Sequence, residues 1–296
     1  MKKTVVLVML FLILALSLFA KGEKETTTAK PIVAVSIQPQ QFVVDKIGGD
    51  LVETLLLVGP GQNPHSYEPT PRQMANLSNA KVWILSQTDF ELALVPKIKA
   101  LYPNLLLVDG TEGVKFRYLE EHSHNEDEHS HHLMELDRHT WMGKEPMKIL
   151  AKQTANALIS IDESNREIYL RNLEIYLDEI DSLFTLLSEE MNQLSNSTVL
   201  VYHPSFGYLL DDFNIEQKAI EVGGKEPTPK ALNELIKFAK ESEIKTLFVQ
   251  AQFPSTAAKN VADAIGGAVI PLDPLAYDWI ENIKLIAKTL HQYHKE

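Results

Sequence analysis

Cysteine is absent from the 296-residue chain, and its absence excludes two kinds of covalent constraint. Without a thiol there is no disulfide framework, and no thioether can carry a lipid anchor. Two catalytic signatures are also absent, since the sequence contains neither H-E-x-x-H nor G-x-S-x-G. The sequence therefore gives little support to hydrolytic chemistry.

Basic residues are scarce. Lysine and arginine number 28 against 40 aspartates and glutamates, which gives a formal net charge of −12. So acidic a chain is a poor binder of nucleic acid, and it can attract cations. Its length allows a substantial hydrophobic core in one large domain or two domains of ordinary size.

The N-terminus has the pattern of an export segment. Lys2 and Lys3 precede the uncharged, mostly apolar run Thr4–Ala20, which is typical of a secretory signal. Residues 1–20 are predicted to be a signal peptide or an uncleaved anchor, and both outcomes stay open. Residues 21–30 are small and polar, as in a flexible tether. We expect a periplasmic or cell-surface protein, free or tethered.

The segment Asn165–Ser195 contains no glycine or proline and predicts one long helix. Its apolar residues recur at steps of three and four, which defines a single helical face. They are Ile168, Leu173, Tyr176, Leu177, Ile180, Phe184, Leu187, Met191 and Leu194. The simplest interpretation is a surface helix; we favour a helix that runs along two lobes and joins them.

Short β-branched runs alternate with helical segments on both sides of this helix, which predicts parallel sheets flanked by helices. The predicted fold is α/β, with two lobes, each a mostly parallel sheet, joined by one long rigid helix. The expected boundaries are 31–160 for the N-terminal lobe, 161–196 for the linking helix and 197–296 for the C-terminal lobe.

Four polar residues stand at predicted strand ends or just before helices: His65, His139, His203 and Asp273. In parallel sheets, ligands bind beyond the carboxyl ends of the strands. Three imidazoles and one carboxylate form a four-coordinate set that zinc accepts, whereas calcium and magnesium need more oxygen ligands. A water molecule or Glu68 could replace Asp273 as the fourth ligand.

A histidine-rich insertion, predicted to be a mobile loop, occupies residues 112–136. Its imidazoles alternate with carboxylates and show no hydrophobic periodicity. Such a segment binds zinc, nickel or copper loosely, although it could also be merely a solvated charged loop. The candidate loose ligands are His122, His124, His129, His131 and His132.

Several motifs resemble the zinc-binding solute-binding proteins of ABC transporters, the ZnuA-like or TroA-like group (cluster A-I). They are NPHSYEPTP around His65, DRHTW around His139, YHPSFGYL around His203, KEPTPKAL, FVQAQF, LDPLA around Asp273, and the acidic histidine-rich loop. The resemblance implies two lobes joined by a long helix, with metal in the cleft between them. Arg138 and Gln250 stand where relatives often have proline and glutamate.

The expected function is therefore high-affinity Zn²⁺ binding outside the cytoplasm and delivery to an ABC transporter permease in the inner membrane. We expect a monomer that is not an enzyme and binds no nucleic acid. The alternatives are a manganese- or iron-binding homologue, a surface adhesin or metal buffer, and, with least support, an exported zinc hydrolase. The resemblance implies that manganese and iron binders tend to carry glutamate in place of the third histidine, so His203 favours zinc.

Overall fold

The first half of the chain folds into a four-stranded sheet in the order β2-β1-β3-β4, with every neighbouring pair parallel. The structure is a computed structural model, which describes residues 29–119, 135–221, 228–253 and 255–294. The strands are β1 (Ile32–Val35), β2 (Glu53–Leu56), β3 (Val82–Leu85) and β4 (Leu106–Asp109). The helices between them are α1 (Gln38–Gly48), α2 (Pro71–Leu77) and α3 (Asp89–Leu101).

The second half repeats this arrangement, with strand order β6-β5-β7-β8 and parallel pairing throughout. The strands are β5 (Thr198–Val201), β6 (Glu216–Ala219), β7 (Thr246–Gln250) and β8 (Ala268–Leu272). The helices are α6 (Gly207–Asp211), α7 (Pro229–Glu241), α8 (Ser255–Ile265) and α9 (Trp279–Tyr293). In each sheet, the second strand lies on one side of the first strand, and the third and fourth strands lie on its other side. This reversal of strand order creates a crevice at the carboxyl ends of the strands.

Two helices connect the sheets. A 3₁₀ turn at Thr140–Met142 leads into α4 (Lys144–Ile161), and a second turn at Glu163–Asn165 leads into α5 (Arg166–Met191). The long helix α5 contacts α1 beside the first sheet and α9 beside the second. The predicted fold of two α/β lobes with a long helix between them is confirmed.

The start of α5 differs from the usual N-cap arrangement. No side chain caps its first backbone N–H groups. Instead, the Asp162 carboxylate accepts hydrogen bonds from the side chains of Ser164, Asn165 and Tyr169. The helix is therefore fixed at its start by a side-chain cluster, which helix-capping rules do not anticipate.

The main hydrophobic core extends from the first sheet across α5 to one face of the second sheet. Alternation along the strands explains the division: Val199 and Val201 contribute to this core, whereas Leu200 faces a smaller cluster under α7 and α8. Both lobes therefore share one apolar interior. Within the described ranges, no helix has both the length and the apolar character needed to cross a bilayer.

Several predictions fall outside the described residues: the signal or anchor segment 1–20, most of the tether 21–30, and the central part of the insertion. The described flanks of the insertion are paired, because Tyr118 and Leu136 form an antiparallel bridge. The predicted loose ligands His122, His124, His129, His131 and His132 lie in the part that is not described. Their role stays a prediction.

Two isoleucines on α5 provide a matched test of this core. Ile180 is fully buried, whereas Ile175 is 53% exposed. We expect Ile180→Ala to lower the free energy of unfolding by about 2–5 kcal/mol, because it leaves a cavity. Ile175→Ala should change it by less than about 0.5 kcal/mol. Urea unfolding measures both, and equal losses would contradict the described packing.

The shared core and the unbroken helix α5 also predict limited motion on metal binding. The helix contains no glycine or proline at which the lobes could hinge. We expect a small tilt and local loop adjustment rather than wide closure. X-ray scattering of the apo and zinc-loaded protein should give nearly equal radii of gyration, and a large decrease on loading would contradict this expectation.

Candidate metal centre

Three of the predicted ligands come together at one point. His65 follows β2, His139 immediately precedes the 3₁₀ turn before α4, and His203 lies two residues beyond the end of β5. One ligand atom from each of the three residues lies within 4.8 Å of the other two. The first sheet's half of the chain therefore supplies two imidazoles, and the second supplies the third.

The three Nε2 atoms form a nearly equilateral triangle. They are 3.0 Å apart between His65 and His203, 3.1 Å between His203 and His139, and 3.3 Å between His139 and His65. Nitrogens that each lie about 2.0–2.1 Å from a tetrahedral zinc ion are roughly 3.3–3.4 Å apart. The triangle thus has nearly the dimensions that zinc requires.

Each ring uses its other nitrogen, Nδ1, to contact a carboxylate. The Nδ1 atom of His65 lies 2.6 Å from Asp89 Oδ2, and that of His139 lies 2.8 Å from Asp137 Oδ1. The Nδ1 atom of His203 contacts Glu221 Oε2. A carboxylate accepts a hydrogen bond from Nδ1–H, so the ring proton stays on Nδ1 and the Nε2 lone pair is free to bind a cation.

Electrostatics support this proton assignment. The hydrogen bond with His65 lowers the pKa of Asp89. Burial alone would raise the pKa of Asp137, but hydrogen bonds from His139 and Arg117 bring it below its usual value. Burial, together with the two neighbouring imidazoles, lowers the pKa of His203 well below its ordinary value. These carboxylates are therefore ionised and His203 is neutral near pH 7.

Burial differs among the three rings. The side chains of His139 and His203 are 6% and 5% exposed, whereas that of His65 is 29% exposed. A cavity of about 550 Å³ is lined by all three histidines. Phe253 stacks on His203 with the ring centroids 4.5 Å apart. Water therefore reaches the His65 ring more readily than the other two.

Asp273, the predicted fourth ligand, does not join the group of three. Its Oδ1 atom accepts hydrogen bonds from Gln252 Nε2 and from the backbone N–H of Leu275, each at 2.9 Å. It follows β8 and lies beside Leu275, which lines a small cavity with the three histidines. Glu68 is exposed and likewise outside the group. The role of Asp273 as a ligand stays a prediction.

The sequence reasoning missed the three carboxylates that orient the rings. Two of them, Asp89 and Glu221, lie just beyond the carboxyl ends of β3 and β6, where polar residues already served to identify the histidines. Asp137 precedes His139 by two residues. The same positional rule, applied to carboxylates, would have found Asp89 and Glu221.

The fold and the three histidines together indicate the class of protein to which the chain belongs. Two parallel α/β sheets, a long connecting helix and three convergent imidazoles define a solute-binding protein that holds a metal ion. Residues 33–293 match the sequence model of the family described as ZnuA, zinc-uptake complex component A periplasmic. The chain belongs to this family, whose members bind solutes and are not enzymes.

Solved structures and curated relatives agree with that assignment. A crystal structure of ZnuA superposes with a TM-score of 0.82 at 35% identity, covering 90% of this chain and 99% of that one. The zinc-binding lipoprotein AdcA of Streptococcus pneumoniae strain R6 is 26% identical over 88% of this chain. The chain spans only 53% of AdcA's length. The manganese transporter lipoprotein PsaA of Streptococcus anginosus is 27% identical, over 88% of this chain and 86% of its own length.

A buried carboxyl beside the centre gives a pH prediction. Glu91 on α3 accepts hydrogen bonds from the backbone N–H groups of Ser86 and Thr88, in the loop that leads to Asp89. Burial raises the pKa of Glu91 to about 7 from 4.5, although these hydrogen bonds act in the opposite direction. The folded state therefore retains a proton that the unfolded chain loses above about pH 4.5.

The sign follows from linkage: stability falls as the pH rises from about 4.5 to 7, by about 2–4 kcal/mol from this group, and is then constant. Glu91→Gln removes the titrating proton and keeps an acceptor. We expect the variant's stability, relative to the parent, to increase between pH 5 and pH 8 in urea unfolding of the metal-free proteins. Parallel profiles would contradict the prediction.

Proposed function

We propose that the chain binds Zn²⁺ outside the cytoplasm with high affinity and delivers it to an ABC transporter permease. The observation that carries the proposal is the triangle of Nε2 atoms with sides of 3.0–3.3 Å. With each Nδ1 proton directed at a carboxylate, three lone pairs converge on one point. A cation at that point would be coordinated by all three lone pairs, which relieves their mutual repulsion.

The donor chemistry favours zinc over manganese. Imidazole nitrogen suits zinc, whereas manganese prefers carboxylate, carbonyl and water oxygens. The resemblance to PsaA, which is named as a manganese transporter lipoprotein, makes manganese the second candidate. Binding of both metals to the purified mature chain, measured by equilibrium dialysis with metal analysis, separates the two.

Delivery and location are part of the same proposal. The family description names zinc uptake and the periplasm, and the relatives AdcA and PsaA are named as lipoproteins. The apolar run Thr4–Ala20 provides an export segment. We therefore propose a monomeric extracytoplasmic protein that passes its metal to a membrane permease. Loss of zinc-dependent growth on deletion of the gene, restored by the parent but not by a His203→Ala variant, tests delivery.

Ligand assignments can be tested by alanine substitution. Replacing His65, His139 or His203 should each weaken tight zinc binding by more than the roughly 10–100-fold cost of losing an outer partner. Asp273→Ala should cost less, because water can replace an oxygen ligand. The matched control is His291→Ala on α9, whose half-buried imidazole lies outside the three-histidine group and contacts Gln193. Chelator competition with Zn²⁺ gives the affinities.

A His203→Ala variant with parental affinity would refute the assignment, as would a large loss in His291→Ala. Zinc should also raise the melting temperature of the parent, because it binds only the folded chain. Since zinc binds neutral imidazole, affinity should fall as the pH drops below roughly 6.5. Burial and the neighbouring imidazoles hold the pKa of His203 well below its ordinary value, so this ring contributes little to that loss.

Deleting residues 120–132 separates the two predicted kinds of metal site. We expect the total number of bound zinc ions to fall while one tight site remains, because an unstructured histidine cluster must be ordered at each binding event. Zinc stoichiometry from titration calorimetry gives both quantities. Loss of the tight site would show that the insertion, rather than the three-histidine centre, is the main site.

A further inference from the structure

Arg117 forms two ion pairs that connect different parts of the molecule. Its Nη1 atom lies 2.7 Å from Asp137 Oδ2, and its Nε atom lies 2.8 Å from Asp211 Oδ2. Asp137 is fully buried beside the metal centre, whereas Asp211 is half-exposed on α6 beside the second sheet. One guanidinium therefore joins the metal centre to the opposite lobe.

Both oxygens of the Asp137 carboxylate accept hydrogen bonds. Its Oδ1 atom accepts hydrogen bonds from both the backbone N–H and the Nδ1–H of His139, and its Oδ2 atom accepts from Arg117. A carboxylate held at both oxygens cannot rotate about its Cβ–Cγ bond without breaking one set. Arg117 thereby fixes the acceptor that orients the His139 ring.

A second connection runs in parallel through Tyr208 of α6. Its hydroxyl accepts a hydrogen bond from the backbone N–H of Arg117 at 3.1 Å and donates one to the backbone carbonyl of Asp137 at 2.8 Å. The guanidinium also faces the Tyr208 ring, 5.9 Å from its centroid. The segment that carries His139 is thus attached to α6 through both backbone and side-chain atoms.

Space for the guanidinium depends on Gly207, the first residue of α6. A Cβ atom at this position would lie 1.8 Å from Nη1 of Arg117, far inside van der Waals contact. Any other residue here would displace Arg117 from the position in which it reaches both carboxylates. Glycine at this position therefore leaves the space that the guanidinium occupies.

We propose that Arg117 is a positioning residue that couples the docking of α6 against the first lobe to the orientation of His139 in the metal centre. The inference rests on the proposed metal-binding function of the three histidines. It adds that metal affinity depends on an arginine that touches none of the ligands. Without the Asp211 contact the guanidinium is held by Asp137 alone, and the Asp137 carboxylate is less tightly fixed in the orientation that faces His139.

Substitutions at Arg117, Asp211 and Gly207 in the full mature chain test the coupling. Arg117→Gln removes both ion pairs, and Arg117→Lys retains the charge but offers one ammonium where a fork of donors spans two carboxylates. Asp211→Asn removes only the charge on the opposite lobe. The matched control is Arg166→Gln, which makes the same chemical change in an exposed pair with Glu163.

We expect Arg117→Gln to weaken the tight zinc step about tenfold, at the lower end of the range for outer partners of metal ligands. Arg117→Lys should restore only part of the loss, Asp211→Asn should lose a smaller factor, and Arg166→Gln should equal the parent. Gly207→Ala should reproduce Arg117→Gln, because it displaces the same side chain. Chelator competition measures the affinities, and urea unfolding shows which variants remain folded.

A spectroscopic measurement separates positioning from general destabilisation. The visible absorption of bound Co²⁺ reports ligand geometry, and it should shift in Arg117→Gln but not in Arg166→Gln. Parental affinity and spectrum in folded Arg117→Gln would overturn the proposal, and a parental Asp211→Asn would overturn its cross-lobe part. If the parent itself lacks a tight site, the proposed function fails instead, so the two failures are distinguishable.

Discussion

Three nitrogen lone pairs directed at one point form the constraint on which the rest of the structure depends. The Nε2 atoms of His65, His139 and His203 lie 3.0–3.3 Å from one another, and three neutral acceptors at that distance repel unless a cation lies between them. The fold holds them there by attaching each ring, through Nδ1, to a carboxylate. The site therefore has its geometry in advance, which reduces the ordering cost of binding.

That geometry requires the two lobes to hold a fixed relation, and two tryptophans help to fix it. Trp141, two residues beyond His139, donates its indole N–H to the carbonyl of Pro274, next to Asp273. Trp279 on α9 donates in turn to the carbonyl of Trp141. Both indoles are buried, where an unmet donor would cost about 1–3 kcal/mol. The segments that carry one histidine and the predicted fourth ligand are thus attached to each other across the lobes.

Features set by local sequence patterns, namely the strands, the helices and the positions of the histidines, were predicted from the sequence. Contacts that depend on how distant strands pair were not. The predicted alternation of strands and helices and the single long helix are present, because β-branched runs and apolar periodicity are local properties. The histidines were found because they follow strands or precede helices. Glu221 could have been recognised as a polar residue beyond a strand end, but its contact with His203 depends on the pairing of β6 with β5, which no single run of residues specifies.

The distribution of charge explains why the three proposed ligands can be neutral. The negative charge lies on Asp89 and Asp137, which contact the Nδ1 atoms of His65 and His139 and whose pKa values are lowered. Gln250 is likewise neutral. Its side-chain amide accepts a hydrogen bond from the backbone N–H of His203 and donates one to the backbone carbonyl of the same residue. An ionised glutamate at this position could accept but not donate, and it would add a negative charge next to the His203 backbone. The glutamine therefore holds the His203 backbone without adding charge beside the three histidines.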